Sequence, residues 1–292
     1  MKLGEVYRSA ARGLSFELFP PKTPEGESAL LHHVEQLMRF GPHYITCTYG
    51  AGGSTRDRTL RIVQQVKQRF QVPVASHLTC VESTIAQLSD YLTEAAAAEV
   101  DAIVALRGDP PQGQTTFQSV DGGLAHANEL VALIHERFPK FGIAVAGYPE
   151  THRESPDWQT DVEHLRRKVD AGADVVITQL FYDNDDYWRF CDRCHTAGIT
   201  VPLIPGILPV TNLGQIRRIT ALCGAKLPPA FLQRLSERDD ADWQFQVGVE
   251  LAISQTAGLL SGGAPGLHYY VLNRSEATSQ VLAAVHGRFS EA

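Results

Sequence analysis

The stretch TDVEHLRRKVDAGADVVITQLFYD, residues 160–183, decides the fold. Residues 160–171 read as an amphipathic helix. Residues 174–180 read as a short apolar strand rich in Val, Ile and Thr, with the polar Gln179 at its end. A near-continuous apolar run of that length is what a strand buried on both faces looks like. The same unit recurs in both directions. Strand-like segments lie at 13–19, 44–49, 73–79, 101–107, 143–148, 201–207 and 266–272. Between them run helical stretches at 25–40, 55–70, 83–98, 125–138, 185–197, 212–223 and 275–289. Residues 25–40 place Leu30, Leu31, Val34, Leu37 and Met38 on one stripe, and 55–70 do so with Leu60, Ile62, Val63 and Val66. Strand–helix alternation predicts a parallel sheet with helical crossovers. Eight units in fewer than 300 residues predict an α/β fold of the (β/α)8 TIM-barrel type. An open doubly wound sheet is the second choice. Residues 223–266 hold extra helical segments, 229–236 and 240–260, before the eighth strand. They read as an insertion within a single domain spanning 1–292.

Composition narrows the function. The 292 residues include 33 Asp and Glu against 26 Lys and Arg, a formal net charge of −7. That balance argues against nucleic acid or an anionic membrane as the main partner. An anionic ligand would need locally placed Arg and Lys. No run approaches the ~18 apolar residues of a membrane span, and MKLGEVYRSAARG has no apolar core of a secretory signal. Five cysteines are odd in number and too dilute for a disulfide scaffold, so a reducing cytoplasm is the expected home.

Barrel chemistry sits at the C-terminal strand ends. The strands deliver there, in order, Glu17, Thr48, His77, Arg107 with Asp109, Tyr148 with Glu150 and His152, Gln179, the IPGILPVTN segment, and Tyr270 with Asn273 and Arg274. A polar group at nearly every strand end is too regular for loop composition alone. Glu17 is flanked by Phe16, Leu18, Phe19, Pro20 and Pro21. A carboxylate in apolar company is expected to have a raised pKa and to donate a proton near neutrality. The plainer reading is a Glu paired with an arginine in a barrel layer. Taken alone, Asp109 in RGD reads first as a helix cap or local ion pair, and His77 as a satisfied core histidine.

Three patterns point elsewhere and carry little. Gly50-Ala51-Gly52-Gly53-Ser54-Thr55 follows a strand and opens a helix, but it breaks the dinucleotide fingerprint at Thr55. Cys191-Asp192-Arg193-Cys194-His195 matches haem attachment, yet it lies in an amphipathic helix. His77, Asp109, His152 and Asp161 lack any metal-ligand spacing, so no metal is expected.

The motifs SFELFPPKTPE, TYGAGGSTRDRT, SHLTC, IVALRGDPP, AGYPETH, RRKVDAGADVVITQLFYD, PLIPGILPVTN and HYYVLNR resemble, in order, those of the methylenetetrahydrofolate reductases. The resemblance runs over essentially the whole chain and is closest to the bacterial type with the catalytic barrel only. It implies a TIM barrel with non-covalent FAD. It implies a ping-pong hydride relay from NADH or NADPH through FAD to 5,10-methylenetetrahydrofolate. The product is 5-methyltetrahydrofolate, which feeds methionine synthesis. By resemblance Glu17 is the general acid, Asp109 the carboxylate near flavin and pterin, and Gln179 a pterin contact. Thr48, His77, Arg107, Gly108, Asp109, Ala127, Tyr148, His152, Asp161, Arg167 and Lys168 fall on FAD-binding positions. Gln215, Ile219, Tyr270 and Arg274 fall on substrate-side positions. His126 and His164 align with flavin contacts but differ in residue type. Ile219 replaces a phenylalanine that lines the shared nicotinamide and folate site in the family member compared. The family also implies a homo-oligomer.

The chemistry of these residue types suits that reading. Arg167 and Lys168 supply cations for a pyrophosphate, and Arg274 suits the glutamate tail of a folate. Opening the folate's five-membered ring needs a proton on N10, and a buried carboxylic acid can give it. The N5 iminium that forms wants a nearby anion, which Asp109 provides. The competing functions are a metal-dependent barrel hydrolase, a non-catalytic flavin or pterin binder, and another flavin barrel acting on an imine or amine, such as a proline dehydrogenase relative. Bound metal and a colourless solution would mark the first. Tight binding without turnover would mark the second.

Overall fold

Strands and helices alternate along the computed structural model, which describes residues 1–8, 12–49, 56–111, 113–114 and 116–289. In chain order the described elements are α1 (Leu3–Val6), β1 (Gly13–Leu18), α2 (Pro24–Met38), β2 (Tyr44–Cys47), α3 (Arg56–Phe70), β3 (Val74–Thr79) and α4 (Ile85–Ala97). There follow β4 (Ala102–Leu106), α5 (Ala127–Arg137), β5 (Gly142–Gly147), α6 (Trp158–Asp170), β6 (Val175–Thr178) and α7 (Asn184–Thr196). The last part holds β7 (Leu203–Ile204), β8 (Gly206–Ile207), α8 (Leu213–Cys223), α9 (Pro229–Ser236), α10 (Ala241–Ser261), β9 (Gly266–Tyr270) and α11 (Glu276–Phe289). The glycine-rich loop 50–55 lies outside the described residues. Several helices start on the cap chemistry their sequences carry. Thr23, Asp157, Asn212 and Asp240 each accept a backbone N–H of the first turn, and Thr84 with Gln87 forms a capping box.

All strand pairings are parallel, and β1 pairs with both β2 and β9. The seventh strand, expected over 201–207, is broken in two at Pro205, which has no N–H to give a ladder. One piece, β7, pairs with β6, and the other, β8, pairs with β9. The Pro205 carbonyl still accepts from the His268 N–H at 3.0 Å. The ring therefore closes as a (β/α)8 barrel, and the open doubly wound alternative is excluded. The insertion before the last strand is present as α9 and α10. Two buried glutamines pin α10: Gln244 accepts from the Leu213 N–H at 2.9 Å and Gln255 donates to the Phe181 carbonyl at 2.8 Å.

The apolar core has two shells. Outward-facing strand residues such as Phe16, Leu18, Ile45, Ile103 and Ile143 pack under the helices. Inside the barrel, Ala75, Ala102, Val104, Ala144, Val175, Ile177 and Ile204 meet Leu3 and Tyr7. The N-terminal segment thus plugs the bottom of the barrel, a role no motif announced. Gly13 and Gly266 make room for it, because a Cβ on either would collide with the Tyr7 ring. Leu3 is 0% exposed. Leu3→Ala is expected to cost about 2–5 kcal/mol, the range for emptying a fully buried leucine site. Denaturant unfolding measures it, and a loss under about 0.5 kcal/mol, the size of a surface change, would show that the plug does not close the core.

Candidate active site

Strand alternation sorts β1 into two faces. Phe16 and Leu18 point to the helices, while Ser15 and Glu17 point into the barrel. Glu17 lies in register with Thr46 of β2 and Tyr270 of β9. Its carboxylate Oε2 is 3.2 Å from His77 Nε2 and 3.4 Å from His268 Nε2. Glu17 and His77 are each 7% exposed and His268 is 0% exposed. The His77 approach is close but not an aligned hydrogen bond, since its Nε2 finds no partner of good geometry. Behind His268, Nδ1 meets Ser15 Oγ at 2.8 Å, Ser15 meets the Tyr7 hydroxyl at 3.3 Å, and Tyr7 meets the Tyr44 hydroxyl at 2.7 Å. A polar column therefore runs down one wall of an otherwise aliphatic interior.

This column corrects the expected raised pKa of Glu17. Burial does push the carboxyl upward, but His77 and His268 outweigh it and lower the group to about 2. Of the sequence neighbours that suggested an apolar pocket, Phe16 and Leu18 face the helices and Phe19 is exposed. The plainer reading, a basic partner inside the barrel, holds with imidazoles in place of an arginine.

A second group gathers at the end of β4. Arg107 makes a bidentate pair with Glu154, at 2.6 and 2.7 Å, and its guanidinium lies 5.0 Å from the Phe117 ring centre. These residues, with Ser119, Ala125, His126 and others, line a cleft of about 780 Å³. Ala127 opens α5 directly beyond His126, the N-cap residue. Gly108 has φ +91° and a Cβ there would press on Thr79 and Val81 at 3.1 Å, so the backbone forms a close-fitting floor. Asp109 follows it and is exposed.

A third group joins β5 to α6. Tyr148 and His152 meet edge to face with ring centres 4.6 Å apart. The His152 N–H donates to Asp161 at 3.2 Å. Lys168 Nζ donates to the Ala146 carbonyl at 2.6 Å and lies 5.9 Å from the Tyr148 ring centre. Burial lowers Lys168 to about 8, only partly opposed by Asp161. Arg167 does not join this group: it is exposed and pairs with Glu163 on the surface of α6 at 3.1 Å.

The fourth wall comes from β6 to β9. Tyr270 crosses the mouth and its hydroxyl donates to the Thr178 carbonyl at 2.7 Å. Only glycine at 206 allows this, since a Cβ would strike both Thr178 and the Tyr270 ring. The Gln179 side chain turns back to accept from the Leu180 N–H at 2.9 Å. Gln215 sits in the first turn of α8, and Ile219, one turn on, packs against an apolar cluster that includes Leu180, Tyr182, Leu208 and Val210. Leu272 and Asn273 both adopt positive φ, and the Asn273 amide clamps both backbone groups of Phe19, at 2.8 and 2.7 Å. Arg274 is exposed beside that clamp, while Thr48 is half-buried at the end of β2. His268, Ser15 and Glu154 were not singled out from sequence. His268 had a signal: it lies two residues before Tyr270, on the same strand face.

The family model for methylenetetrahydrofolate reductase matches residues 2–286. The chain belongs to that family. Its similarity to the 5,10-methylenetetrahydrofolate reductase of Escherichia coli K12 is 39% identity over 264 residues, covering 90% of this chain and 87% of that protein. The rice protein called probable methylenetetrahydrofolate reductase (NADH) is 37% identical over 294 residues, 95% of this chain and 49% of its own length. The chain thus spans about half the length of the plant relatives it matches. Among solved structures, a Clostridium thermocellum protein that binds two copies of 5-methyl-5,6,7,8-tetrahydrofolic acid superposes with TM-score 0.65 at 14% identity, covering 99% of each chain. A dihydropteroate synthase from Xanthomonas albilineans superposes with TM-score 0.52 at 15% identity, covering 97% of this chain and 94% of that one. At such identities both speak for the barrel fold alone. Among the described residues no three His, Cys, Asp or Glu side chains are placed to hold a metal ion, and no helix is long and apolar enough to cross a membrane.

The lowered Glu17 has a consequence for stability. A depressed carboxyl stabilises the folded state above its unfolded pKa, ~4.3, and that contribution is lost as pH falls toward the folded value. The stability of the wild type relative to Glu17→Gln is therefore expected to be greatest above about pH 5 and to shrink toward about pH 2. Urea unfolding across this window measures it. A difference that stays constant or grows on acidification would show that Glu17 is not held ionised.

Proposed function

We propose that this chain reduces 5,10-methylenetetrahydrofolate to 5-methyltetrahydrofolate, with NADH as hydride source and FAD bound non-covalently. The observation that carries the reading is a buried carboxylate, Glu17, at the mouth of a family barrel and flanked by two imidazoles. The naming of the rice relative for NADH supports that donor over NADPH.

The residues present fit FAD. Lys168 is a cation that burial has weakened and no anion fully compensates, which suits a phosphate. Thr46 and Thr79 carry buried hydroxyls without partners at the strand ends, and Gly108 leaves its backbone open to close approach. A cleft of about 780 Å³ borders Arg107, within the ~300–1,000 Å³ of ligand sites. Thr48, His77, Arg107, Gly108, Asp109, Ala127, Tyr148, His152, Asp161 and Lys168 would hold the group, joined by Arg167 on leaving Glu163. FAD, when bound, relays the hydride from nicotinamide to folate in two successive half-reactions.

The chain's own residues do the rest. Glu17 is ionised while the mouth is open to water. Ligands filling the mouth remove that water, raise the cost of the charge and favour the protonated acid. Glu17 then gives its proton to N10 of the folate, the C–N10 bond breaks, and an N5 iminium results. Asp109 sets a negative charge opposite that cation. Gln179 and Tyr270 bind the pterin side, Gln215 and Ile219 form the wall next to α8, and Arg274 pairs with the glutamate tail. The five cysteines are all free thiols, which suits the reducing cytoplasm.

The freshly purified protein is expected to be yellow and to release its flavin on acid precipitation; flavin retained in the pellet, or none at all, counts against the reading. The two half-reactions are expected to separate in Glu17→Gln. That variant keeps a hydrogen-bond donor but cannot deliver a proton. Reoxidation of the reduced flavin by methylenetetrahydrofolate is expected to slow ~10²–10⁴-fold. Bleaching of the flavin by NADH is expected to change by less than about tenfold. Stopped-flow absorbance reads both. Equal slowing of the two would make Glu17 a structural residue.

A further inference from the structure

The loop between β5 and α6, residues 148–157, touches both the flavin side of the mouth and the α8 wall. Its side chains divide between the two. His152 packs against Tyr148 and gives its backbone N–H to Asp161, and Glu154 holds Arg107 with both carboxylate oxygens. Arg153, between them, turns the other way. Its Nη1 donates to the carbonyls of Ala221 and Leu222 at 3.0 and 2.8 Å. Glu150 accepts from the Lys226 N–H with both oxygens, each at 3.1 Å. Resting on the reading of a flavin beside Arg107 and of α8 as the substrate wall, we propose that Arg153, assisted by Glu150, is a positioning residue. It straps α8 to the flavin-binding loop, so that filling the flavin side sets the wall that folate and nicotinamide meet.

The strap is built into the end of α8. A helix leaves its last four carbonyls without intrahelical partners. The Gly224 N–H serves the Thr220 carbonyl at 2.8 Å, and Arg153 serves the next two. A cation there also suits the negative end of the helix dipole. Gly224 takes φ +83°, and a Cβ on it would lie 2.8 Å from Arg153 Cγ and 3.0 Å from Cδ. The glycine therefore ends the helix in the left-handed conformation and leaves room for the arginine stem to lie across it.

α8 needs such a hold. Its buried residues are Ile216 and Thr220, and Leu222 is 72% exposed. A helix with so narrow a buried face opens locally at little cost unless its ends are fixed. Gln244 fixes the first turn, while Arg153 and Glu150 fix the last turn and the segment beyond it. Gln215 and Ile219 lie between these two points. On the loop side, Thr151 takes φ +74° and its N–H returns to the Tyr148 carbonyl at 3.1 Å. The Ser155 N–H returns to the His152 carbonyl at 2.9 Å, and the Glu154 N–H donates to His152 Nδ1 at 3.2 Å. These turn bonds make 148–155 one piece. A ligand that draws Arg107 from Glu154, or settles against Tyr148 and His152, acts on that piece and on Arg153 with it.

Hydrogen exchange read by mass spectrometry tests the strap without turnover, on peptides covering 213–226, in flavin-free protein and after FAD is added back. Peptides from α2 serve as the reference for the general stabilisation that any bound ligand gives. In the wild type, FAD is expected to slow exchange in α8 at least about fivefold relative to α2, the low end of ordinary coupling between sites. In Arg153→Ala, α8 is expected to exchange faster and to gain less than about twofold protection from FAD. Arg153→Lys keeps a cationic donor near the two carbonyls and is expected to recover part of the protection. Arg153 is exposed, so neither variant loses core packing. Equal protection by FAD in the wild type and Arg153→Ala overturns the proposal, even where α8 of the variant exchanges faster throughout.

Steady-state kinetics of the flavin-loaded protein is the second readout. The KM for methylenetetrahydrofolate is expected to rise about fivefold or more in Arg153→Ala while kcat stays within about twofold, because the wall is loosened and the reacting groups are untouched. Gly224→Ala, which pushes the arginine stem aside, is expected to shift KM in the same direction. A loss confined to kcat at unchanged KM overturns the proposal. Wild-type protein that takes up no flavin and reduces no methylenetetrahydrofolate would instead refute the proposed function. Exchange in the ligand-free protein then still decides whether Arg153 holds α8: faster exchange of 213–226 in Arg153→Ala upholds the strap, and unchanged exchange overturns it.

Discussion

A carboxylate inside a closed parallel barrel must be compensated from within the barrel, and Glu17 is that carboxylate. Moving an unpaired charge into such an interior costs several kcal/mol even after relaxation. The compensation comes from His77 and His268, delivered by strands on either side of the β1–β2 pair. Much of the architecture serves to bring them there. The barrel has to close so that β9 lies beside β1, and it closes through a strand interrupted at Pro205. The bottom has to be sealed so that Ser15, Tyr7 and Tyr44 stay dry, and α1 with Tyr7 seals it. Much of the rest of the described interior is aliphatic, so the polar column is where the charge of Glu17 finds compensation.

The same constraint orders the mouth. The groups expected to hold phosphate and flavin lie on the β4 to β6 side, where Arg107 and Lys168 stand with their present partners. The groups expected to meet folate lie on the β6 to β9 side, with Tyr270 braced against Thr178 across Gly206. Glu17, on β1, lies on the arc of the barrel between these two groups. The insertion α9–α10 supports this arrangement indirectly. Gln244 pins the start of α8, the helix that carries Gln215 and Ile219.

The barrel was legible because strands buried on both faces announce themselves as apolar runs, and because the helices between them carry ordinary amphipathic stripes and caps. The single-turn α1 was not legible, since four residues are too few to show a period. The break at Pro205 was visible as a residue, but its effect depends on which ladders it interrupts. The state of Glu17 was misread for a geometrical reason. Phe16 and Leu18 are its neighbours in sequence but face the helices, while His268, 251 positions away, faces the carboxylate. Sequence adjacency reports the wrong side of a strand. Likewise Arg167 and Lys168 are consecutive in sequence yet point to different surroundings, one to Glu163 on the surface and one to the barrel mouth.

Glu17, held ionised in the open site, is proposed to become a carboxylic acid when folate fills it. Isotope-edited infrared difference spectroscopy on carbon-13 glutamate-labelled protein sees that change directly. Binding of methylenetetrahydrofolate to the flavin-loaded protein, without a nicotinamide, is predicted to produce a carbonyl stretch of a protonated carboxyl that is missing in Glu17→Gln. A protonated Glu17 band already present before folate is added, or no such band after it, would contradict the account.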